Sequence, residues 1–551
     1  MSRSWLFLVL VLAACFFARF YELGLIPPWN VDDGENLSIA WNLANGRLQW
    51  LAVRYFFVPR LPLFYLASGV AVGFLGHDIV AVRLVSALCG FLATALLYFV
   101  GKRVCDTRVG LLSSLLFAVY PLAVLHNRVG FTHNLFMLLA LFSFYCILRY
   151  DEGRRALFIY LGCGAAALAL ISEFTAVSMF VFCLVYVYFF ARRELAKTFV
   201  LMIVPPVSLF FLMLSFDEAS FLQDIGYYFG INGLAGGFST AVFAVIGVVV
   251  LAGFFGKPVL AYLLRLIEAG RSPQSKAGLL VYLLSLLVPL NGIIILGLLA
   301  AKSDFSGYDF EVQFNFLFIV GMVGCALMPE RREKRLILLA AACMMLPFFL
   351  ILATVHRLLP LYPFLTVGAA YFIVLVYDTV KSLSGKFIRK SMVFTLLLAV
   401  SYAPLAGYIL HSDASIFSSA AGVSQEYETA AYINDNTKKG ESVTAPAQLA
   451  HLIKADVSEI HQAIAYDMRG VEMPTTPFLF FSKRLPEDRF LFNCSRRRSA
   501  FVVVDEYDFW IMEKYAPEIT NDIRSWKATL RTGRYTVYQN PAFDQEAGEV
   551  T

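Results

Sequence analysis

The chain has 551 residues, 59% of them hydrophobic and 15% charged, with a formal net charge of +5. Soluble globular domains run about 45–50% apolar and about 25% charged, so this composition excludes an ordinary soluble enzyme and indicates a polytopic membrane protein. Of nine cysteines, eight lie in or beside apolar segments, Cys494 stands alone in the polar tail and no CxxC occurs, which argues against a disulfide framework and a cysteine-based zinc site.

The first segment, "MSRSWLFLVLVLAACFFARF", has the basic start and apolar run of a signal peptide. It lacks a small-x-small cleavage site and is nearly long enough to span, so it is read as a retained first helix. A bilayer crossing takes about 17–25 apolar residues, and about 13 segments qualify. They lie near 4–22, 79–101, 108–126, 133–149, 155–172, 174–191, 197–216, 238–256, 277–300, 311–328, 335–355, 357–378 and 391–411.

With the N-terminus inside, the inner loops include "GKRVCDTR", "RYDEGRR", "ARRELAK", "PERREKR" and "KSLSGKFIRK". The outer loops include "HNRVGFTHN", "SEF" and "AKSDFSGYDFE". Basic clusters fall on one side, the positive-inside pattern. This places both the segment after the first span and the polar tail outside. No nucleic-acid partner is expected.

Between the first two spans, "PPWNVDDGENLSIAWNLANG" packs Asp32, Asp33, Glu35 and Asn36 into five positions. Asp32-x-x-Glu35 has capping-box spacing, and Gly46 suits a helix end. The competing reading is an outward-facing carboxylate that deprotonates a hydroxyl acceptor. A second short helix follows in "RLPLFYLASGVAVGFLG", and both are expected to lie at the membrane interface within 23–78, where Trp29, Trp41, Trp50, Tyr55 and Tyr65 suit that depth. Arg60 opens the second helix, as a snorkelling residue or a phosphate clamp.

Further along, "LHNRVGFTHN" is an outer turn with His126, Arg128, His133 and Asn134; its histidine pair is a weak metal signal, so a divalent metal is the less favoured reading. Glu173 is a charge in an apolar setting. The loop "FDEASFLQDIGYYFG" carries Tyr227 and Tyr228, which suit either a sugar or an interfacial belt. His356 and Arg357 open a late helix in "VHRLLPLYPF", where Arg357 needs a cavity or the interface. In the tail from 412 to 551, "YETAAYINDNTKKG" reads as a helix ending at Gly440, and "ESVTAP", "FVVVDEY" and "RYTVYQN" as strands of a small α/β domain outside the membrane.

These motifs, in this order, resemble the glycosyltransferase C superfamily, specifically the protein O-mannosyltransferase and lipid A aminoarabinose transferase group. "VDDGENLSIAWNLANG" resembles the family's Asp-Glu loop and helix, "RLPLFYLASGVAVGFLG" its basic-Pro-Pro-Leu-Tyr helix, and "HRLLPLYPF" its late Arg-Tyr-x-x-Pro element. "AVRLVSALCGFLATALLYFVGKRV" and "GLLSSLLFAVYPLAVLHNRVGFTHN" resemble the next two spans and their outer turn. The resemblance covers residues 1–150 and, by one motif, 350–370.

It implies an inverting membrane glycosyltransferase over 1–411 that takes sugar from a polyprenyl-phosphate donor, with a lipid, glycan or protein as acceptor. Asp32 matches the catalytic loop aspartate, and Asp33 stands where Glu is usual, with Glu35 beside them. Arg60, Arg128 and Arg357 match basic residues expected near the lipid phosphate. His133 falls where many members have a second aspartate and Glu173 where Lys is common; with Asn134, His356 and Tyr227 they are expected to line the substrate cavity. No cofactor is implied. A transporter would instead need inverted repeats and mid-span charges, whereas the charges here cluster at the outer edge. A non-catalytic envelope-assembly protein is the other alternative.

Overall fold

The computed structural model describes residues 3–29, 31–46, 61–216, 359–383, 423–467 and 495–543, with scattered helical positions between 321 and 344. The first ten helices are α1 (Arg3–Phe20), α2 (Val31–Ala44), α3 (Pro62–Leu75), α4 (Ile79–Val104), α5 (Thr107–Val119), α6 (Pro121–Asn127), α7 (His133–Gly153), α8 (Ala156–Ser172), α9 (Val177–Phe190) and α10 (Leu195–Phe216); α11 (Tyr362–Leu383) comes later.

Among the described residues three helices are long and apolar enough to span: α4, α7 and Arg192–Leu212 around α10. The expected single span over 108–126 is instead the pair α5 and α6, bent by 62°. Pro121 is the cause, since it has no N–H to continue the α5 ladder. The spans expected at 238–256, 277–300 and 391–411 lie outside the described residues, and those at 311–328 and 335–355 mostly so.

Side-chain oxygens fix two helix starts. Asp78 accepts from the Val80 amide, and Asp106 from the amides of Arg108 and Val109. Small residues bring α4 and α5 together: a Cβ on Gly101 would lie 2.8 Å from the Gly110 Cα. The bundle core joins Phe117, Phe136, Phe144, Phe182 and Phe364 from four helices. The outer faces are apolar too, with Phe74 86% exposed and Phe211 62%, as lipid contact requires.

The antiparallel helices put Asp78, Asn127, His133 and Glu173 at one end of the bundle. Lys102, Arg103, Arg154, Arg155, Arg192 and Arg193 lie at the other.

Residues 423–467 and 495–543 build a five-stranded sheet from β1 (Ser442–Ala445), β2 (Asp456–Glu459), β3 (Ser499–Asp505), β4 (Lys527–Thr532) and β5 (Tyr535–Gln539), in the order β2-β1-β3-β5-β4. β1 pairs in parallel with β2 and β3, while β5 is antiparallel to β3 and β4. β3 is buried along its whole length, which explains its unbroken apolar run. Val502 and Val504 face α13 (Ile460–Asp467), α14 (Glu506–Tyr515) and α15 (Pro517–Ser525). Phe501 and Val503 face α12 (Val423–Asn436). α12 stops at Asn436, and the chain turns through Gly440 at φ +93° rather than continuing as helix to it.

Candidate active site

Helix α2 carries the acidic cluster. It begins at Val31, so Asp32 and Asp33 lie inside its first turn, one and two positions past the start, where the capping-box spacing had put Asp32 at the N-cap. At its far end Gly46 adopts φ +75° and its amide bonds the Leu43 carbonyl, the expected glycine stop.

Asp33 is fully buried. Its Oδ2 accepts from Arg83 Nη2 at 2.5 Å and Nε at 3.2 Å, and its Oδ1 accepts from the Gly130 amide at 2.8 Å. One turn on, Asn36 Nδ2 donates to the Gly130 carbonyl at 2.6 Å. Residues three apart share a helix face, so Asp33 and Asn36 hold both backbone polar atoms of one residue, Gly130. A Cβ on Gly130 would lie 2.9 Å from Val82 Cγ2 and 3.3 Å from Asp33 Oδ1, so only glycine admits this approach. Tyr65 on α3 completes the set, its hydroxyl donating to Asn36 Oδ1 at 2.9 Å. Tyr65 is therefore buried within the protein, where its phenol has a polar partner. Trp29 is likewise 2% exposed. Trp50, Tyr55 and Arg60 lie outside the described residues.

Asp32 and Glu35 share the neighbouring face of α2. Asp32 is half-buried and Glu35 buried. The structure thus separates the two aspartates: Asp33 is committed to Arg83 and Gly130, and Asp32 points around the helix from it.

Three arginines in this part of the molecule have no exposed surface: Arg19, Arg83 and Arg128. Arg83 also donates to the carbonyls of Leu23 and Pro27. Arg128 was expected to face the donor phosphate. Its guanidinium is instead spread over the carbonyls of Ala18, Tyr21 and Ile26, at 2.6–3.1 Å. It pins the α1–α2 connection from below. Arg19 donates to the carbonyls of Phe117 and Ala118 and to Asn127 Oδ1. The Phe117 carbonyl is the acceptor that Pro121 leaves without its helical donor.

Asn134, expected in the cavity, also serves the backbone. Its Nδ2 donates to the carbonyls of His126, Val129 and Phe131, and its Oδ1 accepts from Asn127. Glu173 behaves differently. It caps α8, accepts from Thr132 Oγ1 at 2.6 Å and lies 3.9 Å from His133 Nε2. Leu61, the residue after Arg60, packs on Phe174 beside it. Tyr227, His356 and Arg357 lie outside the described residues. Among the described residues no three His, Cys, Asp or Glu side chains converge as a metal group.

Residues 59–216 match the family model of dolichyl-phosphate-mannose-protein mannosyltransferases. No curated protein sequence matches the chain. Among solved structures, ArnT from Cupriavidus metallidurans bound to undecaprenyl phosphate is similar over 98% of this chain and 99% of its own, with 13% identity and a TM-score of 0.56. The archaeal oligosaccharyltransferase AglB from Archaeoglobus fulgidus, in complex with an inhibitory peptide and a dolichol-phosphate, is similar over 98% of this chain and 74% of its own, with 14% identity and a TM-score of 0.54. The fold is that of the glycosyltransferase C superfamily.

Within this GT-C fold, the chain resembles the protein O-mannosyltransferase and aminoarabinose transferase group. The sequence reading singled out Asp32, Asp33 and Glu35 but passed over Arg83 and Arg19. A signal was present: each is a lone arginine at the end of an apolar span, and such charges need an internal partner. It also passed over Arg534, far away in the tail, whose role only the tertiary structure displays.

Proposed function

We propose that the protein is a membrane glycosyltransferase that moves a sugar from a polyprenyl-phosphate donor to an acceptor on the outer face, with inversion. The observation that carries the assignment of residues is the division of labour on α2. Asp33 is committed to Arg83 and the Gly130 amide, and Asp32, half-buried on the adjoining face, is assigned as the general base. The segregation of basic residues to the opposite end of the bundle supports an outward-facing site, with the N-terminus inside. The lipid phosphates bound by ArnT and AglB support the donor class.

In this mechanism the acceptor oxygen attacks the anomeric carbon from the face opposite the phosphate. The carbon–oxygen bond to phosphate breaks, its electron pair leaves with the polyprenyl phosphate, and the acceptor proton passes to Asp32. Arg60 and Arg357 are assigned to the departing phosphate, whose growing charge they stabilise. Arg128, engaged by carbonyls, is reassigned to holding the α1–α2 connection. Glu173 and His133 line the acceptor side. The sheet unit, 412–551, is assigned to the same outer face.

The test is transfer from radiolabelled undecaprenyl-phosphate sugars in native membranes. Asp32→Asn is expected to abolish transfer with protein level and thermal unfolding unchanged. Turnover at the wild-type rate in that variant refutes the assignment.

A further inference from the structure

Asp32 is bracketed by two contacts with the sheet unit, one on each side in sequence. Three residues before it, the Trp29 carbonyl accepts from Arg534 Nη2 at 2.8 Å. Trp29 precedes α2, so its carbonyl lies outside the helical ladder and is available to an external donor. Two residues after Asp32, the missing Cβ of Gly34 would lie 2.3 Å from the Ala447 carbonyl carbon and oxygen and 2.4 Å from the Gln448 nitrogen. The backbone of the sheet unit therefore rests directly on the first turn of α2. The Trp29 ring is buried in the same interface, 4.7 Å from His451 and 5.5 Å from Tyr427.

Arg534 reaches Trp29 from a built cradle. It sits in the β4–β5 turn beside Gly533, whose φ of +51° makes the tight reversal, and its amide bonds Gln425 Oε1. The same Nη2 bonds the fully buried Glu426 at 2.6 Å, and the Tyr535 hydroxyl also donates to that carboxylate. The guanidinium is thus oriented by its own unit before it meets α2.

We propose that the sheet unit is a positioning element of the active site: Arg534 and the 447–448 backbone set the lead-in and first turn of α2, and with them the direction of Asp32. This rests on the assignment of Asp32 as base. Displacing a reacting group by about an ångström costs on the order of 100-fold in rate, so a loosened first turn slows the chemistry without weakening donor binding.

The experiment uses the full chain in membranes, with Arg534→Ala, Arg534→Lys and Gly34→Ala. Two quantities are read: hydrogen exchange of the α2 amides, and kcat and KM for undecaprenyl-phosphate sugars, mannose first. Arg534→Ala is expected to speed exchange in the first turns of α2 about tenfold and to lower kcat at least tenfold, with KM for the donor within about twofold. Arg534→Lys restores part of both, because an ammonium reaches the carbonyl or the carboxylate but lacks the fork. Gly34→Ala reproduces the loss from the opposite side of the contact. Alanine is the better helix former, so this variant tests docking even if Arg534→Ala folds poorly. Unchanged α2 exchange in both variants overturns the proposal, as does faster exchange with kcat unchanged. The exchange arm needs no catalysis: if Asp32→Asn retains turnover, the base assignment fails while docking is still decided.

Discussion

Helix α2 meets the bundle through buried charge and meets the sheet unit through close backbone packing. On the bundle side, Arg83, Asp33, Asn36 and Gly130 form a closed set with no exposed ionic atom. On the sheet side, a glycine surface, an aromatic cage and one partly exposed arginine make the contact. The difference lies in how each fails. A buried ion pair that loses one member strands a charge, whereas a packed surface loosens by degrees. The first suits an anchor, the second an adjustable brace.

The largest expected effect breaks the anchor. Arg83→Ala leaves Asp33 buried without its cation, at a cost of about 3–5 kcal/mol, read as lost yield and a lower unfolding temperature in detergent. Replacing the pair together, Arg83→Met with Asp33→Leu, is expected to recover much of that stability, since apolar substitutes for a buried pair are often neutral. It should not recover transfer, because the Gly130 amide stays without its acceptor.

Gly130→Ala is the next probe. Its Cβ would press on Val82 Cγ2 at 2.9 Å. Overpacking of this kind costs about 1–3 kcal/mol, and Val82→Ala in the same chain should relieve it.

A pH titration sharpens the other side. Burial, helped by the neighbouring His77, pushes the His451 imidazole down to about 4, against the opposing pull of Asp78, the Gln448 backbone and Asp33. His77 is itself lowered by burial, with Asp78 opposing. Because the unfolded chain takes up the proton more readily, stability is full above about 6.5 and falls as the pH drops from there towards 4. The measurement is thermal unfolding across that window; His451→Phe should flatten the slope, and an unaltered slope removes His451 from the account. The smallest effect is Tyr65→Phe, which deletes one hydroxyl from the anchor and costs about 0.5–1.5 kcal/mol in the same assay.

Much of the bundle was legible because apolar length and basic loops are direct consequences of the bilayer. Helices α4, α7 and α8 start within a residue of their expected positions. The α5–α6 break was missed although Pro121 stood in plain view, since hydropathy continues through it. In the tail, β1, β3 and β5 lie in the apolar and β-branched segments read as strands, whereas β2, "DVSE", and β4, "KATLRT", carry too many polar residues to stand out. At the site, composition marked the acidic cluster but not which carboxylate was committed. That depends on Arg83, 50 positions away, and on Gly130, 97 away, and no local pattern encodes such partners. Arg128 was noticed for its charge, yet its guanidinium bonds the main-chain carbonyls of Ala18, Tyr21 and Ile26.

The bond from Arg19 to the broken end of α5 has a consequence for biogenesis. Helix α1 carries an arginine whose acceptors, the Phe117 carbonyl and Asn127, are synthesised 98 and 108 residues later. Until then its guanidinium lacks these acceptors, and the proline break that follows creates a carbonyl without its helical donor. Each segment on its own is a poor guest in hydrocarbon, and together they satisfy one another. Contacts so distant in the chain form only after α1, α5 and α6 are all in the membrane, so the order of synthesis bears on when this part of the bundle can close.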